Sequence, residues 1–94
     1  AVEDITFVES QGHRLIYHTR DAEYASAGAM KDAEEKLEGY NFFRSNKGYL
    51  VNLEHVNGIQ DNCALVGDHK LLISRSRKAP FLEALTTYLG GGAR

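Results

Sequence analysis

No stretch of this chain is apolar for long enough to cross a bilayer, and its N-terminus carries no secretory signal pattern. Neither a membrane span nor a secretory signal is expected in these residues. Cysteine is nearly absent: Cys63 stands alone, which excludes an internal disulfide framework and fits a reducing, cytoplasmic compartment. Its ordinary reading is a small residue in a strand. Glycine is not organised to cradle a phosphate, since the nine are scattered and the one run, Gly90 to Gly92, is terminal. No serine lies in a nucleophile-elbow context. The histidines His13, His18, His55 and His69 match no ligand spacing with Cys63, and His13 and His18 fall on opposite faces of a strand. No metal, cofactor or catalytic constellation is expected, and the chain is not read as an enzyme.

What is present describes one ordinary globular domain. With 94 residues, 43% hydrophobic and 26% charged, the chain has enough apolar surface for a single modest core. The net charge of -2 argues against a nucleic-acid partner until its distribution is considered. Residues 1–41 hold four basic and nine acidic side chains, whereas residues 42–94 hold seven basic and four acidic ones. The chain is therefore polarised. If Arg44 and Lys47 fold near Arg75, Arg77 and Lys78, one face is cationic despite the acidic total.

In chain order, Asp4 to Glu9 reads as a strand with Ile5 and Phe7 on one side, and Leu15 and Tyr17 repeat that period. Ser10, Gln11 and Gly12 form the turn between them, which delivers His13 and Arg14 to the start of the second strand. A short strand is expected at about Glu23 to Ser26. From Ala29 to Leu37 the period becomes helical, with Met30, Ala33 and Leu37 on one stripe, acidic and basic residues elsewhere, and Gly39 as the stop. Val56 to Gln60, Cys63 to Val66 and Lys70 to Ile73 read as strands separated by Asp61-Asn62 and Gly67-Asp68. In the last helix Phe81, Leu82, Leu85, Tyr88 and Leu89 recur at helical spacing. The last element begins at Ser74; Pro80 sets the expected start of the helix proper near Ala79, leaving SRSRK as an extended or turning lead-in, and the terminal glycines set its end.

The least ordinary stretch is NFFRSNKGYLVNLEHVNGI, Asn41 to Ile59. Phe42 and Phe43 on one side and Tyr49, Leu50 and Val51 on the other bracket a polar, cationic loop of Arg44, Ser45, Asn46, Lys47 and Gly48. A loop anchored at both ends holds its side chains in fixed geometry. Planar or cationic donors thus occur at three element junctions: His13 and Arg14; Arg44, Asn46 and Lys47; Arg75, Arg77 and Lys78. Arginine and lysine reach guanine edges or phosphates, asparagine pairs with adenine, and histidine donates or accepts. Each alone reads as a solvated surface residue. Their joint occurrence suits a protein that reads DNA with loops.

The segments ITFVES, GHRLIYHT, the helix ending EEKL, FFRSNKGYLVNLEHVNGI and LLISRSRK resemble the LytTR DNA-binding domain, the output module of bacterial response regulators of the LytR and AlgR type. The likeness runs from about Asp4 to Leu89. Its most diagnostic block joins Phe43, Arg44, Tyr49, Val51 and Asn52, followed by Ser74-Arg75. The resemblance implies a mostly β (α+β) fold of small packed antiparallel sheets with a short middle helix and a C-terminal helix. It also implies sequence-specific binding of double-stranded DNA through loops entering successive major grooves, in transcription regulation within a two-component system. By position, His13 falls in the family's first DNA-contacting loop, Asn46 and Lys47 in its second, and SRSRK in its third. Which of Arg75, Ser76 or Arg77 reads bases stays open. Asn52 matches a near-constant asparagine expected to satisfy backbone groups in the turn after Val51.

Where the family usually has a histidine and a serine, Asn46 and Gly48 stand here, which implies different partners on DNA. The whole chain, 1–94, is read as one LytTR-like domain without the family's first strand and without a receiver domain, which the full-length protein would supply. A missing first strand would leave Ile5 to Glu9 as an exposed edge. The family implies paired direct repeats as the DNA partner, two copies of the chain as a homodimer on DNA, and no membrane. The alternative function is a protein-interaction module that docks a partner on an exposed edge strand or on the acidic helix.

Overall fold

Successive residues of a strand point to opposite faces, so a strand with core on both sides must be apolar at consecutive positions. Phe7 and Val8 meet that condition: they are 1% and 0% exposed, and they belong to two different cores. The computed structural model describes residues 2–91. After a short 3-10 turn, Val2–Asp4, the chain forms β1 (Ile5–Gln11), β2 (Arg14–Thr19), β3 (Glu23–Ala27), α1 (Met30–Lys36), β4 (Phe42–Asn46) and β5 (Tyr49–Asn52). A second 3-10 turn, Leu53–His55, leads to β6 (Gly58–Gln60), β7 (Cys63–Val66), β8 (His69–Leu72) and α2 (Arg75–Gly91). The fold is mostly β, as expected, with two antiparallel sheets and two α-helices.

The five-stranded sheet runs β3-β2-β1-β5-β4, and the three-stranded sheet runs β6-β7-β8. One face of the larger sheet packs Val8, Leu15 and Leu50 against Met30, Ala33 and Leu37 of α1 and its C-terminal turn. The opposite face packs Phe7 and Val51 against Ala64, Val66 and Leu71 of the smaller sheet, Ile73 just after it, and Phe81 of α2. Phe81 is wholly buried and meets Phe43 edge-on, with ring centroids 5.9 Å apart. Burying one such ring contributes roughly 1.5–3 kcal/mol.

Four expectations are corrected. Ile5 to Glu9 is not an exposed edge, because β1 lies between β2 and β5; the edges of that sheet are β3 and β4. Nor do Ile5 and Phe7 share a face. Pairing with β2 steps from Ile5–Thr19 to Phe7–His18, so Thr6 is an inserted residue that flips the alternation, and Ile5 packs with the α1 core. Arg44 and Ser45 are not loop residues; β4 continues through Asn46 and leaves only Lys47 and Gly48 as the turn. Finally, α2 starts at Arg75 rather than near Ala79, and it continues through Gly91. The Arg77 N–H donates to the Ser74 carbonyl at 3.0 Å, which closes the first turn four residues ahead of the expected start. Pro80 lies inside the helix, and the carbonyl that its missing N–H leaves without an i+4 donor belongs to Ser76, an exposed residue. Gly92, the last of the glycine run, lies outside the described residues.

Asn52 matches its expected role. It is 2% exposed, its Nδ2 donates to the Ile5 carbonyl at 2.9 Å, and its Oδ1 accepts the Glu54 N–H at 3.0 Å. One side chain thus joins β1 to the turn that leaves the larger sheet.

Candidate nucleic-acid interface

The first candidate turn is a two-residue hairpin loop. Gln11 pairs with Arg14, Gly12 has φ +61°, and His13 follows it, the arrangement in which glycine at the first central position matches the twist of the strands. His13 and Arg14 are both exposed. The second turn, Lys47-Gly48, joins β4 to β5. Because β1 and β5 are antiparallel neighbours, with Glu9 opposite Tyr49, the end of β1 and the start of β5 coincide. The Ser10 N–H donates to the Gly48 carbonyl at 2.9 Å and ties the two turns together.

The third segment reaches the same end from the other sheet. The Ser74 N–H donates to the Ser45 carbonyl at 2.8 Å, and Asn46 Nδ2 donates to the Leu72 carbonyl at 2.7 Å. A register shift in β4 between Arg44 and Asn46 leaves Ser45 as an extra residue, fully buried, and bends the strand toward β8. Gly12-His13, Lys47-Gly48 and Ser74-Arg75 are therefore neighbours at one end of the molecule, although more than sixty residues separate the first from the last. Ser45 Oγ and Ser74 Oγ, at the seam, are buried with no hydrogen-bond partner.

The eight candidate side chains are not equally free. His13, Arg14, Lys47 and Arg75 are exposed and make no side-chain hydrogen bond or ion pair among the described residues. Lys78 is exposed, and its Nζ donates to Asn62 Oδ1 at 2.7 Å. Arg77 is half-buried on the stripe that continues through Phe81, Ala84, Leu85 and Tyr88, whereas Arg75 and Ser76 are exposed. Asn46 is engaged at both ends of its amide, since its Oδ1 also accepts the Gly48 N–H at 2.6 Å.

Arg44 is the most constrained of the eight. Its Nη1 meets Glu34 Oε1 of α1 at 2.9 Å, its Nε donates to the Asn46 carbonyl at 3.2 Å, and its Nη2 donates to the Lys47 carbonyl at 3.0 Å. Sequence reasoning passed over Glu34 and Leu72 as contributors. Glu34 looked like one more solvated acid of the helix, and Leu72 acts through its backbone carbonyl, for which side-chain chemistry gives no signal.

Two titratable groups of β2, His18 and Tyr17, sit against the cores. His18 is 6% exposed, stacks on Phe7 with centroids 4.0 Å apart, and has Nε2 2.8 Å from Glu9 Oε1. Burial pushes the Tyr17 hydroxyl above its ordinary value, and the Asp32 carboxylate adds to the shift. Of His13, His18, His55 and Cys63, only His55 lines the groove formed with Thr19, Arg20, Glu54 and His69. Among the described residues, no three His, Cys, Asp or Glu side chains are grouped to hold a metal ion. Among the same residues no helix is long and apolar enough to cross a membrane.

A family model described as the LytTr DNA-binding domain matches residues 1–86. A solved LytTr DNA-binding domain from Bacillus cereus has the same fold, with a TM-score of 0.80 at 14% identity over 89% of this chain and 83% of that one. No curated protein matches the chain.

Proposed function

This chain belongs to the LytTR family of DNA-binding domains, and we propose that it binds duplex DNA sequence-specifically as the output domain of a bacterial transcriptional regulator, working in the cytoplasm. One observation carries this: turns from distant parts of the chain are hydrogen-bonded into one end of the molecule, and that end presents His13, Arg14, Lys47 and Arg75 without intramolecular side-chain partners among the described residues. In this reading the turns enter successive major grooves, where base edges present distinct donor and acceptor patterns. His13 and Arg75 discriminate bases. Arg14, Lys47 and Lys78 neutralise phosphates and release counterions. Arg75 takes the base-reading place rather than Arg77 because Arg77 shares the buried stripe of α2. Full regulation would place two copies on paired direct repeats, with a receiver domain elsewhere in the full-length protein.

Selection of duplexes from a random library, followed by mobility shift at low salt, tests the proposal. Enrichment of a common motif and retention of DNA are expected. A chain that retains no duplex at low salt would instead be an interaction module with solvated basic turns.

A further inference from the structure

We infer that Arg44 and Glu34 form a positioning clamp that sets the shape of the Asn46–Gly48 turn, and that Arg44 itself does not touch DNA. The inference rests on the DNA-binding reading above and assigns roles within the same site. An arginine offers five N–H donors in a rigid planar fork, and its value at a phosphate lies in having that fork free. Here three of the five donors, one on each nitrogen, are already committed. Nε and Nη2 hold two consecutive carbonyls of the turn, Asn46 and Lys47, while Nη1 is paired with a carboxylate.

The partner is itself fixed. Glu34 lies on α1, whose Met30 and Ala33 are buried against the larger sheet together with Leu37, and Asp32 accepts the Ala29 N–H at 3.1 Å to steady the helix start. Arg44 is only 19% exposed, so the pair is partly shielded from water and its charge is cancelled where it stands. Asn46 completes the arrangement from the other side, through Gly48 and Leu72. The acidic helix thus acts on the interface through one ion pair, and Lys47 is the residue of this turn left to contact DNA. A charge-bearing phosphate contact and a clamp make opposite predictions. Were Arg44 a phosphate contact, Glu34 would compete with DNA for it, and removing that carboxylate would strengthen binding.

The test uses the wild-type chain with Arg44→Gln, Glu34→Gln and, as the control for removing one acid from α1, Glu35→Gln, an exposed residue of the same helix. Each is titrated with the duplex selected by the wild-type chain and with a scrambled duplex of equal length, across a salt series. Thermal unfolding reports whether each variant is folded. Glu34→Gln is expected to bind the selected duplex about tenfold more weakly than Glu35→Gln, with less preference over the scrambled duplex. Arg44→Gln is expected to lose the same preference while the slope of log affinity against log salt stays at the wild-type value. Should Arg44→Gln fail to fold, the Glu34→Gln and Glu35→Gln comparison decides. Glu34→Gln binding as tightly as Glu35→Gln or more tightly, or a slope reduced by about one in Arg44→Gln, overturns the clamp alone. A wild-type chain that retains neither duplex overturns the functional reading and the clamp with it.

Discussion

At the scale of single residues, the division is between side chains spent inside the fold and side chains left outside it. His13 stands at the tip of a hairpin with no intramolecular partner among the described residues. Replacing it with alanine is expected to flatten discrimination between the preferred base and its competitors by about 1–3 kcal/mol while leaving stability near wild type. Competition binding against single-base variants of the selected duplex measures this. Asn52 is the opposite case. Asn52→Ala removes two partly buried hydrogen bonds, to the Ile5 carbonyl and from the Glu54 N–H, so a loss of about 1–3 kcal/mol in urea unfolding is expected. Tyr17 adds a pH signature. Its hydroxyl is raised in the folded state by burial first and by Asp32 second, so its contribution is complete below the ordinary tyrosine value, about pH 10, and lost as pH rises through the folded value. Unfolding midpoints followed from about pH 8 to 11 are expected to fall more steeply for the wild type than for Tyr17→Phe.

At the scale of elements, the three turns of the proposed interface lie together because strand pairing dictates where the strands end. Gly12 is the residue that lets the first hairpin close with φ +61°. Gly12→Ala meets open space but a strained backbone, so a cost of about 1 kcal/mol and a displaced His13 are expected, read as a lower melting temperature with a reduced sequence preference. Most elements were legible in the sequence because their periods are local: the apolar stripe of Met30, Ala33 and Leu37 and the turn pairs Asp61-Asn62 and Gly67-Asp68 emerge where they were read. Departures occur where a long-range contact overrides a local rule. The inserted Thr6 reverses the alternation after Ile5, and its Oγ1 donates to the His18 carbonyl twelve positions away. Pro80 signalled a helix start by its position preference, but the Ser45 carbonyl receives the Ser74 N–H and lets the helix begin earlier. The candidate site was legible as a list of donors, whereas the commitment of Arg44 to Glu34 and of Asn46 to Leu72 was not. Both depend on packing between segments ten and twenty-six positions apart.

For the molecule as a whole, the proposed DNA-binding end is compatible with an acidic total because basic side chains gather at one end of the two sheets. Of the acids of α1, Asp32 and Glu35 are exposed and half-buried Glu34 is cancelled by Arg44, while Lys47 and Arg75 stand at the shared end of the two sheets. Lys47→Ala is expected to weaken all duplexes alike and to lower the salt slope by about one, which a binding series across ionic strengths reads directly. The central claim is that turns from three regions form one contact surface, and the most direct measurement is an amide chemical-shift titration of the chain with its selected duplex. Shifts clustered at Gly12–Arg14, Lys47–Gly48 and Ser74–Lys78 are the predicted result. Shifts concentrated on α1 or on the β3 edge, with those three turns unmoved, would contradict it.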